Sequence, residues 1–154
     1  MSHEQRIAEL GIQIPTLSPS VALFVPAVRA GDLLFLSGAG PVRPDGGGLI
    51  RGKVGRDLDT YAAREAARLT GVQLLGVMRA ELGSLDRVVR VVKLLGMVNC
   101  AAGFTDTPGV IDGCSQLFLD VFGEAGRSAR SAVGMAELPF GMSVEVEAVV
   151  LAPA

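Results

Sequence analysis

The chain is nearly without histidine: 154 residues carry one, His3, close to the N-terminus. That removes Ser-His and Cys-His nucleophilic pairs and histidine-based zinc sites. It also weighs against a histidine-dependent ribonuclease mechanism. Only two cysteines are present, Cys100 and Cys114, at a spacing that matches no metal motif. They read as small buried hydrophobes in a reducing compartment. Tryptophan is absent and aromatic residues make up only 5%. Any core is therefore aliphatic and rich in small residues. No stretch reaches the ~18 apolar residues of a membrane span. The opening "MSHEQRIAELG" is charged and lacks the apolar core of a signal peptide. A cytoplasmic protein is expected. Excess positive charge is lacking too, with a net charge of −2. Nucleic acid is therefore not an expected partner. Whatever chemistry the chain performs must run on arginine, lysine, carboxylates, hydroxyls and backbone groups, without a bound metal.

Apolar residues are plentiful at 49%, enough for one domain with a real core. The mean hydropathy of +0.45 is high for a soluble monomer and suggests apolar surface buried between subunits. "SHEQRIAELG" reads as a short helix, with Ser2 and Gln5 as a capping box and Gly11 as the stop. "IPTLSPS" reads as an extended linker, so residues 1–20 form an N-terminal helix and linker extension. Residues 21–154 form a single domain. Its first strands are "ALFVPAV" and "DLLFLSG", with Val, Leu and Phe dominant. A long Gly- and Pro-rich loop follows. Asp57 to Leu82 is a helix, with Ala63, Ala67, Thr70, Leu74 and Val77 on one face. "DRVVRVVKLLGMVN" is an almost continuous apolar run, as in a strand covered on both faces. A second helix carries the stripe Val110, Ile111, Cys114, Leu117, Phe118, Val121 and Phe122. Thr107 before Pro108 marks its start and Gly123 its end. The pattern is α+β: a mixed sheet with two helices packed on one face. No third long helix is available for the other sheet face, and a partner subunit is expected there.

"GGGLIRGKV" mimics a phosphate-binding loop: Gly47, four residues, Gly52, Lys53. Val54 stands where a magnesium-binding Ser or Thr belongs, and the stretch reads as a plain flexible loop. "SGAG", Ser37 to Gly40, is too short for a dinucleotide fingerprint.

The closing "GRSARSAVGMAELPFGMSVEVEAVV" reads as a hairpin turning at Leu138–Gly141. Pairing Glu137 with Met142 sets Gly134 against Glu145, Ala132 against Glu147 and Arg130 against Val149. Cross-strand partners share a face, so Arg130, Ala132, Gly134, Glu145 and Glu147 fall together. An arginine fork beside small residues suits a carboxylate ligand held by two parallel hydrogen bonds. An exposed sheet face with an ordinary Arg–Glu pair fits the same pattern. In this register Arg130 lies four residues, roughly 13 Å, from the partner of Glu145. A site using both needs a bulge, a long reach, or groups from two subunits.

"ARSAVGMAELPFGMSVEVEAVV" resembles the closing signature of the Rid family, also called the YjgF family. "VPAVRAGDLLFLSGAGP" is similar to that family's opening hairpin, and "ELGSLDRVVRVVKLLGMVN" to its helix-to-central-strand stretch. The N-terminal 20 residues and the 39–56 loop resemble a longer subfamily labelled endoribonuclease or translation inhibitor. The resemblance implies a chorismate-mutase-like fold and a homotrimer with ligand clefts between subunits. It implies cofactor-free hydrolytic deamination of 2-imino or 2-enamino acids, such as 2-aminoacrylate, to 2-keto acids and ammonia. On the same basis Arg130 holds the substrate carboxylate and Glu145 positions or activates water. Phe24, Ser37, Gly38, Ala39, Phe104, Ala132 and Glu147 complete the pocket. Three positions depart from the pattern. Phe24 replaces a tyrosine, Ala39 a polar residue and Ala132 a cysteine, which leaves the pocket more apolar. Two other readings stand beside deamination: a non-catalytic trimer that binds small keto acids, and the ribonuclease of the subfamily label.

Overall fold

A computed structural model describes residues 1–19 and 21–154. Ser20, the last residue of the expected linker, lies outside them. Helix α1 (His3–Glu9) begins as the sequence suggests: the Ser2 hydroxyl accepts from Gln5 N, and the Gln5 side chain returns to Ser2 N. It is bound firmly to the body of the protein. The Glu4 carboxylate takes the Arg79 guanidinium and the Leu85 amide, and Arg6 donates to the Asp120 carbonyl. Ile7 is 4% exposed and joins the main core. Ile7→Ala should therefore cost roughly 2–4 kcal/mol. A lower urea midpoint at unchanged m-value is the expected readout.

Strand β1 (Ala27–Ala30) and β2 (Leu33–Ala39) form a hairpin across Gly31, whose φ is +60°. The expected first strand is thus shortened at its start. Pro26 has no N–H for the ladder, and residues 21–25 run outside it, with Val21, Leu23, Phe24 and Val25 exposed. Helix α2 (Thr60–Leu82) starts three residues later than expected because Asp59 caps it, accepting from Ala62 N. Its predicted stripe is buried from Ala63 to Val77. Strand β3 (Arg90–Asn99) is followed by α3 (Thr107–Phe122), capped by Asp106, with Pro108 in the first turn. The whole predicted stripe of α3 is buried. The two helices lie side by side, so close that a Cβ on Gly113 would be 1.9 Å from the Arg64 carbonyl oxygen.

Strand β4 (Ala129–Met135) and β5 (Val144–Leu151) complete a five-stranded sheet in the order β1-β2-β5-β3-β4. This overturns the expected β4–β5 hairpin. Strand β4 pairs parallel with β3, at the sheet edge, and β5 inserts between β2 and β3, antiparallel to both. Two causes are visible. Helix α3 is the crossover that a parallel β3–β4 pair requires. The turn at 139–141 is also held away from β4: Gly52 N donates to the Gly141 carbonyl and Arg51 Nε to the Phe140 carbonyl.

Helices α2 and α3 cover one sheet face, against Leu34, Val91, Leu94, Val98, Val144, Val146 and Val150. The other face bears Val28, Phe35, Leu95, Met97, Val133 and Val149, interrupted by Lys93, Ser131, Glu145 and Glu147. No element of the described chain packs over it.

Candidate functional site

The corrected register divides the expected site residues between the two faces. Arg130 pairs with Leu94, Ala132 with Gly96 and Gly134 with Val98, so all three face the helices. Glu145 pairs with Met97 and Glu147 with Leu95, so both carboxylates lie on the open face. The expected common face of Arg130, Ala132, Gly134, Glu145 and Glu147 does not exist. Within one chain Arg130 and Glu145 are separated by about 10 Å along the strands and about 10 Å across them, on opposite sides.

On the helix side, Arg130 Nη1 donates to Asp112 Oδ1 at 2.7 Å and to Ser115 Oγ at 3.1 Å. Both partners belong to α3. The guanidinium keeps 22% of its side-chain surface exposed and opens into a cavity of about 350 Å³, shared with Arg127 and Ser128. One end of the fork is thus fixed while the rest faces a cavity. Ala132 has its carbonyl occupied by Thr107 Oγ1 at 2.9 Å.

On the open side, a register shift in β2 between Leu36 and Ala39 brings Gly38 beside Glu145. A Cβ on Gly38 would stand 2.2 Å from Glu145 Oε1, so the carboxylate lies directly over the glycine. Burial pushes the Glu145 carboxyl above its ordinary value, and the charge of Glu147 pushes it further. No described residue donates a hydrogen bond to it. Gly38→Ala should displace the flexible carboxylate toward water. The expected result is a Glu145 titration nearer the ordinary carboxyl range, read by NMR, with little change in melting temperature.

The remaining expected residues scatter around these two centres. Ser37 uses its hydroxyl to hold the Val25 carbonyl at 2.7 Å. Ala39 pairs with Val146, on the helix side. Phe24 is exposed, and Phe104 packs over Gly55 near the start of α2.

Three residues escaped the sequence reading. Asp112 and Ser115 position Arg130; they lie three apart among the polar residues of α3, beside Gln116 and Asp120, and nothing local sets them apart. Lys53 was read as part of a flexible loop. Its ammonium donates instead to Asn99 Oδ1 at 2.8 Å and to the Ala136 carbonyl, and approaches Glu137. The loop is pinned to the ends of β3 and β4 and forms no phosphate cradle. Cys114 is fully buried, and burial drives its thiol to about 12, which leaves it inert. No cluster of metal-binding side chains occurs among the described residues, and no helix is long and apolar enough to cross a membrane.

A family model described as "YjgF/chorismate_mutase-like, putative endoribonuclease" matches residues 4–146. The chain belongs to the YjgF family. It is 44% identical to Protein TCP17 of Trypanosoma cruzi over 94% of this chain and 90% of that protein. It is 42% identical to Atu1372 of Agrobacterium tumefaciens, a crystal structure of unknown function, with a TM-score of 0.89, covering 98% and 94% of the two chains. A "putative endoribonuclease" from Shewanella oneidensis MR-1 superposes with a TM-score of 0.92 at 26% identity, covering 98% and 99%.

Proposed function

We propose that the protein is a cofactor-independent deaminase of 2-imino and 2-enamino acids, working as a homotrimer with its clefts between subunits. The observation that carries this reading is the separation of two chemically complementary half-sites. Arg130 lies on the edge strand β4, paired on one side with β3, with part of its fork free. Glu145 lies over Gly38 on the uncovered face of the same sheet. An edge strand of one subunit laid against the open face of the next would bring them together, and would cover Phe35, Val133 and the exposed residues 21–25.

In such a cleft Arg130 holds the carboxylate of the substrate. Glu145, ionised and desolvated, takes a proton from a water molecule as that water attacks C2. The C=N bond becomes C–N, and the nitrogen collects protons and leaves as ammonia, with the 2-keto acid as co-product. One water is consumed and no electrons change hands. An imine already reacts with water, so orientation and one acid–base group suffice.

The family's endoribonuclease label has less physical support. His3 is engaged edge-on with the Phe122 ring at 4.9 Å, and Glu145 and Glu147 put negative charge where a phosphate would approach. A second reading, a non-catalytic trimer that holds small keto acids, is favoured by one observation: no described residue orients Glu145 as a base. A coupled assay separates the two. An amino-acid oxidase generates the imine, and keto-acid release is followed with and without the protein. Faster release supports deamination. Unchanged release with measurable pyruvate binding supports the binding protein.

A further inference from the structure

A groove of about 430 Å³ runs between residues 11–15, the outer face of α2 and the turn at 42–46. It shares no residue with the surroundings of Arg130 or Glu145. Its apolar surface comes from Ile12, Ile14, Leu69 and Val72, and Arg43 and Arg68 stand at its edge. No carboxylate lines it. Its walls are held in place. Ile12 is buried in the core, and Pro15 packs against α2 so closely that a Cβ on Gly76 would be 3.2 Å from its ring. The opposite wall is a small hairpin, with Val42 bridged to Leu49 and Arg43 N bonded to the Gly48 carbonyl at 2.8 Å. Arg43 spends one nitrogen on the Leu49 carbonyl at 3.2 Å. Among the described residues, Arg68 has only a long contact to Glu65 on its own helix, at 3.6 Å. Both guanidiniums thus retain free donors beside an apolar trough.

We propose that this groove is a second ligand site, and that it takes an amphipathic carboxylate with a chain of about six to ten carbons. The volume lies within the range of small-molecule pockets. The trough takes the chain, and the two arginines take the head by charge-assisted hydrogen bonds. A neutral ligand of the same length leaves the arginines unused. The short, polar 2-keto acids of the main cleft leave the trough unfilled.

Calorimetric titration with octanoate tests this on the full chain and on Arg130→Ala, in which the main cleft is disabled. Octanoate should bind both proteins near one per chain. Octan-1-ol and acetate should each bind at least about tenfold more weakly. The Arg43→Ala/Arg68→Ala double variant should lose at least about tenfold in octanoate affinity. Val42→Glu, at an exposed wall position, should abolish binding without unfolding the protein, since it adds a like charge to the groove. Absence of octanoate binding to the wild type would overturn the proposal. So would binding unchanged in both groove variants, or binding lost in Arg130→Ala and kept in Val42→Glu.

Discussion

Arg130→Ala should abolish 2-keto-acid binding and imine turnover while leaving the protein folded. The fork holds a carboxylate by two parallel charged hydrogen bonds, and its loss costs on the order of 2–5 kcal/mol of binding. That corresponds to a rise in Kd of roughly 30- to 5,000-fold. The effect on stability should be far smaller. Arg130 pairs with Asp112, which keeps 47% of its side-chain surface exposed, so water replaces the lost partner. Arg130→Lys should fail as well. A point charge can satisfy Asp112, but it cannot also present a planar fork to the ligand. Binding of pyruvate by calorimetry, beside a thermal melt, checks both halves. Full binding by either variant would remove Arg130 from the site.

Glu145→Gln should lower turnover by ~10²–10⁴, the loss expected for an acid–base group, and leave pyruvate affinity within a few-fold of wild type. Its effect on stability should have the opposite sign. The Glu145 carboxyl is raised in the fold by burial and by Glu147, so the folded state binds its proton more tightly than the unfolded chain does. The stability tied to this proton is fully present below the ordinary carboxyl pKa and is lost as pH rises through the raised value. At neutral pH the ionised Glu145 therefore weighs against the fold, and glutamine relieves that cost. A variant as stable as wild type or more so at pH 7, and catalytically poor, is the expected pairing. Melting curves across that carboxyl range should show wild type losing stability relative to Glu145→Gln as pH rises. Glu147→Gln is the control: Glu147 is exposed, and its loss should change turnover little.

The helices were legible in the sequence because their signals are local. The stripes of α2 and α3 recur every three or four residues, and the Ser2–Gln5 capping box is a four-residue motif. Strand pairing was not legible in the same way. The Leu138–Gly141 segment has the composition of a hairpin turn, and pairing β4 with β5 is the default for consecutive strands. What decides the pairing lies elsewhere. Arg51 and Gly52 hold the turn, and β5, with its helix-side row of Val144, Val146, Ala148 and Val150 buried, inserts between β2 and β3. The order β3, α3, β4 already contained the parallel crossover. The error had consequences for the site, because it put Arg130 and Glu145 on one face. The roles of Asp112 and Ser115 depend on the packing of α3 against β4, at separations of 18 and 15 residues, and no local pattern announces them. The candidate residues themselves came from the family resemblance. Their division between two sheet faces was readable only from the fold.

That division is the central claim, and subunit complementation tests it most directly. Arg130→Ala and Glu145→Gln proteins, each nearly inactive alone, are unfolded together, refolded as an equal mixture and assayed for keto-acid release from an enzymatically generated imine. If each cleft takes Arg130 from one subunit and Glu145 from its neighbour, random assembly leaves about a quarter of the clefts with both native residues. The mixture should then regain roughly a quarter of wild-type activity. A mixture that stays at the level of its two parents would contradict the account.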